Sequence, residues 1–134
     1  MRIVIDTNVF IIALIGKGNP KLIDWLSERK FTVLLSDELY NELIEVINRP
    51  KFNKLFTEEK ILKLLELLDS IKEIITINSK TNICRDKKDN FILDLAKDGK
   101  ADYIITEDLD LLEIKKFNIT KIVKYKQFVS EVLL

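Results

Sequence analysis

With 134 residues, 47% of them apolar and 33% charged, and only three Gly and two Pro, the chain is expected to form one ordinary globular domain over 1–134 rather than a disordered or fibrous protein. The 22 basic residues balance 22 acidic ones, which excludes bulk electrostatic attraction as a means of gripping long nucleic acid. The absence of His excludes His-based triads, ordinary His-ligated zinc and a His general base, and no Gly-rich phosphate loop occurs.

Arg2–Ile5 is a short apolar, β-branched run that reads as a strand, and Thr7 or Asn8 opens a helix before Gly16 and Gly18. The uncharged run Thr7–Gly16 falls far short of the ~20 residues that span a bilayer. Asp6 interrupts the apolar start that an export signal needs, so a soluble, cytoplasmic protein with no membrane partner is expected. Pro20 suits the first turn of a helix to Arg29, Phe31–Leu35 reads as a second strand, and Ser36 or Asp37 caps a helix to Asn48 that Pro50 stops. Thr57 caps the longest helix, in which Ile61, Leu64, Leu65 and Leu68 share a face, and Glu73–Ile77 reads as a third strand. Ser79–Lys88 is expected as loop, with the lone Cys84 a neutral loop or surface residue. Asp86 or a neighbour caps a helix through Lys97 that Gly99 ends, Asp102–Thr106 is a fourth strand, Ile119–Val123 a fifth, and Gln127–Leu133 a last helix. Short apolar strands alternating with helices predict an α/β fold, a three-layer α/β/α sandwich on a parallel, five-stranded sheet. In such sheets functional groups gather beyond the carboxyl ends of the strands, near the point where strand order reverses.

The acids fall at such places. Asp6 directly follows the first strand, where it reads equally well as a helix cap or a site residue. On the helix from Asp37, Glu42 leans toward the apolar arc of Leu39, Leu43, Ile44, Val46 and Ile47, while Glu38 and Glu45 point further into solvent. Taken singly, Glu42 is most simply a boundary residue whose stem covers the core. Asp89 shares a helical face with Ile92, Leu93 and Ala96 and so faces the core, whereas Asp94 reads as solvated surface. The alternative is that Asp86 is the N-cap and Asp89 holds a capping-box-like position, and the apolar face tips Asp89 toward function. The fourth strand ends in Thr106-Glu107-Asp108-Leu109-Asp110; Asp108 follows it into the crevice, Glu107 turns aside, and Asp110 is the better placed to cap a helix. Carboxylates gathered on one sheet edge without His suit hard cations such as Mg²⁺ or Mn²⁺.

At these residues the chain resembles the PIN-domain ribonucleases, particularly the branch that forms the toxins of toxin–antitoxin pairs. Ile3-Val4-Ile5-Asp6-Thr7-Asn8-Val9 is similar to the family's strand-D-T-N opening, and Ser36 with Glu42 to its mid-chain acid. Arg85–Asn90 with Ile92 and Ala96 matches the third acid motif, and Ala101–Leu112 the fourth. The resemblance implies a Mg²⁺- or Mn²⁺-dependent endoribonuclease in which Asp6, Glu42, Asp89 and Asp108 are the metal-site and catalytic acids. Asn8, Thr106, Asp86 and Asp110 would support them, and an antitoxin and a second copy of the chain would be partners. Lys87 and Lys88 stand where this branch usually has a Pro and an acid, and are candidates for binding RNA phosphates. The same α/β architecture also serves phosphatases and phosphoacceptor domains, which would use Asp6 as nucleophile, although Asn8 replaces the second Asp of their D-x-D start. A binding module without activity, its acidic pocket taking a partner's Arg or Lys, is a third class. Arg49, Lys51 and Lys54, and the late run Lys115, Lys116, Lys121, Lys124 and Lys126, could also contact phosphates, although each group reads most simply as a solvated face.

Overall fold

The computed structural model describes residues 1–15, 21–28 and 30–133. The expected features at Gly16, Gly18, Pro20 and Arg29 lie outside the described residues. Strand β1 (Arg2–Ile5) leads into α1 (Thr7–Ile15) and α2 (Lys21–Ser27); β2 (Thr32–Leu35) leads into α3 (Asp37–Ile47). After a 3-10 turn at Pro50–Phe52, α4 (Glu58–Ile71) runs directly into β3 (Lys72–Ile74). A second 3-10 turn, Lys87–Asp89, precedes α5 (Asn90–Asp98), followed by β4 (Tyr103–Ile105), α6 (Leu109–Leu112), β5 (Lys116–Phe117), β6 (Thr120–Val123) and α7 (Tyr125–Phe128), which passes into a π-helical turn to Leu133.

Local chemistry accounts for the starts of the helices. Ser36 Oγ accepts the Leu39 N–H (3.1 Å) at the head of α3, and Thr57 Oγ1 accepts the Lys60 N–H (3.3 Å) at the head of α4. Leu39, Leu43, Val46 and Ile47 bury the inner face of α3, and Leu64, Leu68 and Ile71 that of α4. Among the described residues no helix is long and apolar enough to cross a membrane.

The strands form one sheet in the order β3-β2-β1-β4-β6-β5. Five strands run parallel, and β5 pairs antiparallel with β6 at the edge. The central strands carry apolar runs because both their faces are covered: Ile3, Val4, Ile5, Ile104 and Ile105 are all inaccessible to solvent. Helix α1 packs against α2 and α3, and α2 against α4, while α5 packs on β1 and β2. Gly99, the C-cap of α5, sits where a Cβ would come within 2.7 Å of Leu34 Cδ1, so close packing on β2 demands the missing side chain.

The sheet has six strands rather than five. Strand β5 is two residues long, too short to show any alternation, and is framed by Lys115 and Asn118 in left-handed conformation (φ 66° and 54°). The third strand begins one residue earlier than expected and ends at Ile74. Its partner β2 stops where Ser36 starts α3, so after one further bond, Ile75 N–H to Leu35 O (2.8 Å), no ladder remains for Thr76 and Ile77.

Candidate metal centre

The order of the strands locates the crevice. The chain moves outward from β1 to β2 and β3, then returns through α5 to β4 on the other side of β1, so strand order reverses between β1 and β4. The two strands pair in register from Ile3↔Tyr103 to Ile5↔Ile105, which sets Asp6 beside Thr106 at their common carboxyl end. The Asp6 N–H extends the ladder to Ile105 O (3.0 Å).

Thr106, fully buried, joins two of the acids. Its hydroxyl donates to Asp6 Oδ2 (2.8 Å) and accepts the Asp108 N–H (3.0 Å). The Asp6 carbonyl accepts the Val9 and Phe10 amides at the start of α1, so the backbone of Asp6 serves the helix while its side chain turns to Thr106. Burial raises the pKa of Asp6, the Thr106 hydrogen bond opposes this, and the charges of Glu42 and then Asp108 add to the rise. Glu42, on the second turn of α3, accepts a hydrogen bond from Thr7 Oγ1 (3.0 Å) and so meets Asp6 from the helix side. Thr7, read from the sequence only as a possible helix start, is buried and supports Glu42, while its neighbour Asn8 is exposed on the first turn of α1. Only the helix register, invisible before folding, decides which of the two polar neighbours turns inward.

Asp89 ends the 3-10 turn and stands at the N-cap position of α5, without a side-chain cap hydrogen bond. Asp86 stands one turn earlier, immediately before the 3-10 turn that runs into α5, and its carbonyl accepts the Asp89 N–H (3.0 Å). Asp89 is pushed up to about 7, first by burial, then by its hydrogen bond and charge with Asp108, then by Asp86 and Asp6. Asp89 Oδ2 is buried and no N–H or hydroxyl of the described residues donates to it, so its approach to Asp108 is one carboxyl group to another. Asp86, Asp89 and Asp110 each bring a carboxylate oxygen within 4.8 Å of the others. Asp108, not Asp110, caps α6: its Oδ1 accepts the Asp110 N–H (2.8 Å), and this turn aims Asp110 at Asp89 and Asp86. Glu107 turns aside to the Tyr125 N–H (3.4 Å).

The acids of the expected quartet thus meet around Asp6 and Asp108, and the tightest trio of oxygens lies alongside, on Asp86, Asp89 and Asp110. An all-oxygen donor set with an orphaned buried carboxylate oxygen fits a hard divalent cation, which would supply the partner that Asp89 Oδ2 lacks. No neighbouring cation of the protein takes that place among the described side chains. Arg85 is engaged by both oxygens of Glu113 (2.7 Å each), and Lys87 is exposed. The side chain of Lys88 lies outside the described residues.

The opposite side of α5 corrects two expectations. Asp94 is buried, not solvated, and accepts the Thr81 N–H (2.7 Å). Asn90 Oδ1 accepts the Cys84 N–H (2.9 Å), and Asp98 accepts the Asn78 and Ser79 amides (2.7 and 2.9 Å). Positions 90, 94 and 98 form one row by their i, i+4 spacing, and this row stitches the segment 78–84 to the helix. Cys84 is consequently buried in the core rather than on the surface, and burial raises its thiol pKa, which leaves it inert. The i, i+4, i+8 repeat of short polar residues is a signal that could have been read.

A family model described as PIN domain matches residues 2–110. An uncharacterized protein of Methanocaldococcus jannaschii is 40% identical over 121 residues, covering 88% of this chain and 77% of its own. No solved structure matches.

Proposed function

This chain belongs to the PIN-domain family, whose members are generally nucleases, and from that premise we propose that it is a Mg²⁺- or Mn²⁺-dependent endoribonuclease acting as the toxin of a toxin–antitoxin pair. The observation that carries the reading is Asp89 Oδ2, buried and unpartnered among carboxylates at the reversal of strand order.

In this reading Asp6, Asp89 and Asp108, with Glu42 beside them, hold one or two cations, and Asp86 and Asp110 complete the outer edge. A bound divalent cation supplies Lewis acidity, polarising the phosphodiester and making water a better nucleophile. Thr106 holds the carboxylate of Asp6 and the backbone of Asp108 in one geometry, and Thr7 does the same for Glu42. The burial that raises the pKa of Asp6 and Asp89 makes the cluster costly without a cation and favours its uptake. The four ordered acid motifs that resemble the toxin branch support a toxin role, a cognate antitoxin and a homodimer.

The test is cleavage of structured RNA in Mn²⁺ by wild type, Asp6→Asn and Asp89→Asn. Wild type should cut and both variants should lose at least tenfold in rate; equal cleavage by all three would sink the assignment of the site. Expression in a bacterial host should arrest growth with wild type and not with Asp89→Asn, and normal growth in both would remove the toxin role while leaving the nuclease.

A further inference from the structure

The surface leading away from the acids carries the opposite charge. Leu109, between Asp108 and Asp110, is 74% exposed and borders a recess of about 520 Å³ with an apolar lining from Leu112, Ile122 and Val123 and a rim of Lys115, Lys116, Lys121 and Lys124; among the described residues Glu131 is its sole acid. Lys116 and Lys121 are direct cross-strand partners in the β5–β6 ladder, an arrangement in which like charges weaken a sheet. Among the described residues none of these four lysines comes within ion-pair distance of an acid; Glu131 is hydrogen-bonded by Gln127 and Tyr103, and the charge of Lys121 also acts on it.

The recess meets the candidate metal centre at Leu109, whose sequence neighbours Asp108 and Asp110 belong to the acid cluster. Lys124 follows β6 at the carboxyl edge, where the Thr106 N–H binds Val123 O (3.0 Å). Lys121 lies three residues back along the strand, about 10 Å away. In the proposed reading bound cations neutralise the acids at the reacting phosphate, but the phosphates beside it meet no such cation, and zero net charge offers no general attraction to hold them. A strand presented to the acids must therefore be held by an adjacent cationic surface, and the exposed Leu109 offers an apolar contact for a base at the junction.

We propose that this lysine-lined recess binds the phosphodiester backbone of the RNA to one side of the bond presented to the acids. The proposal rests on the nuclease reading and is tested by binding rather than cleavage. In an Asp89→Asn background, which keeps the strand intact, the affinity of a short fluorescein-labelled single-stranded RNA is measured by anisotropy across a salt series. Adding K116Q/K121Q/K124Q should weaken Kd at least tenfold and lower the slope of log Kd against log salt by about 2, since each phosphate contact contributes ~0.7. K60Q/K63Q on α4 should change neither. Lys115→Gly is a second variant: the residue stands at φ 66°, which Gly adopts freely, so Tm should hold or rise while RNA affinity falls. An unchanged Kd and slope in the triple variant overturns the proposal, as does poly-L-glutamate binding at least as tightly as RNA, which would assign the recess to an acidic protein. Parallel cleavage assays in Mn²⁺ separate the two readings. Cleavage by wild type with lysine-independent RNA affinity overturns the recess alone, whereas lysine-dependent affinity without cleavage overturns the nuclease and leaves the recess standing.

Discussion

Replacing Asp89 by Asn preserves the shape of the side chain and removes the acid that burial and the proximity of Asp108, Asp86 and Asp6 push up to about 7. A carboxyl with a raised folded pKa binds its proton more tightly in the folded state than in the unfolded chain. Stability therefore falls as pH rises from the unfolded value of 3.8 to about 7 and stays low above it. At about 1.4 kcal/mol per tenfold change in proton affinity the full effect would be about 4 kcal/mol. Asp89 is only partly buried, and solvent screening reduces this to about 1–2 kcal/mol. Some two thirds of the window lies above about pH 5, so the stability of Asp89→Asn relative to wild type should grow by about 1 kcal/mol between about pH 5 and about pH 8. For a domain of this size that is about 4 °C in Tm. The assay is thermal unfolding followed by circular dichroism with all metal chelated. A gap in Tm that stays constant or narrows toward high pH would refute the reasoning, because the charge of Asp89 would then cost the fold nothing.

Thr106→Val keeps the volume but leaves Asp6 Oδ2 and the Asp108 N–H without their partner; it should destabilise by about 1–3 kcal/mol in denaturant titrations and lower cleavage with Asp6 itself intact. Asp94→Ala removes the acceptor of the Thr81 N–H, and hydrogen exchange should show faster exchange of that amide together with a loss of about 1–2 kcal/mol. Gly99→Ala forces a Cβ to within 2.7 Å of Leu34 Cδ1 and 3.0 Å of Leu95 O. It should cost about 1–3 kcal/mol by overpacking, and an unchanged Tm would mean that β2 and α5 can part without penalty.

Much of the candidate site was legible because its parts are local. Asp6 and Thr106 stand directly after apolar β-branched runs, and Asp89 sits at core-facing spacing with Ile92, Leu93 and Ala96, so each could be placed at a strand end or on a helix face from a window of a few residues. The misreadings have two causes. Asp94 looked solvated because the apolar face of α5 lies elsewhere, yet its partner is a backbone amide 13 residues away. The capping role expected of Asp110 falls to Asp108, which remains among the acids, because one turn of helix, Leu109–Leu112, is too short for periodicity to reveal.

The alternation of apolar runs and amphipathic helices, with Ser36 and Thr57 at the caps, by itself determined the α/β class and the extent of most elements, because capping and side-chain periodicity act over a few residues. Which strands are neighbours was decided only by tertiary structure. The pairing of β1 with β4 joins Asp6 to Thr106 across 100 residues, and the approach of α3 and α5 brings Glu42 and Asp89 to the same crevice. The raised pKa of Asp89 and the orphaned Oδ2 follow from that assembly, since burial and like charge are properties of the packed edge and not of any segment of the chain.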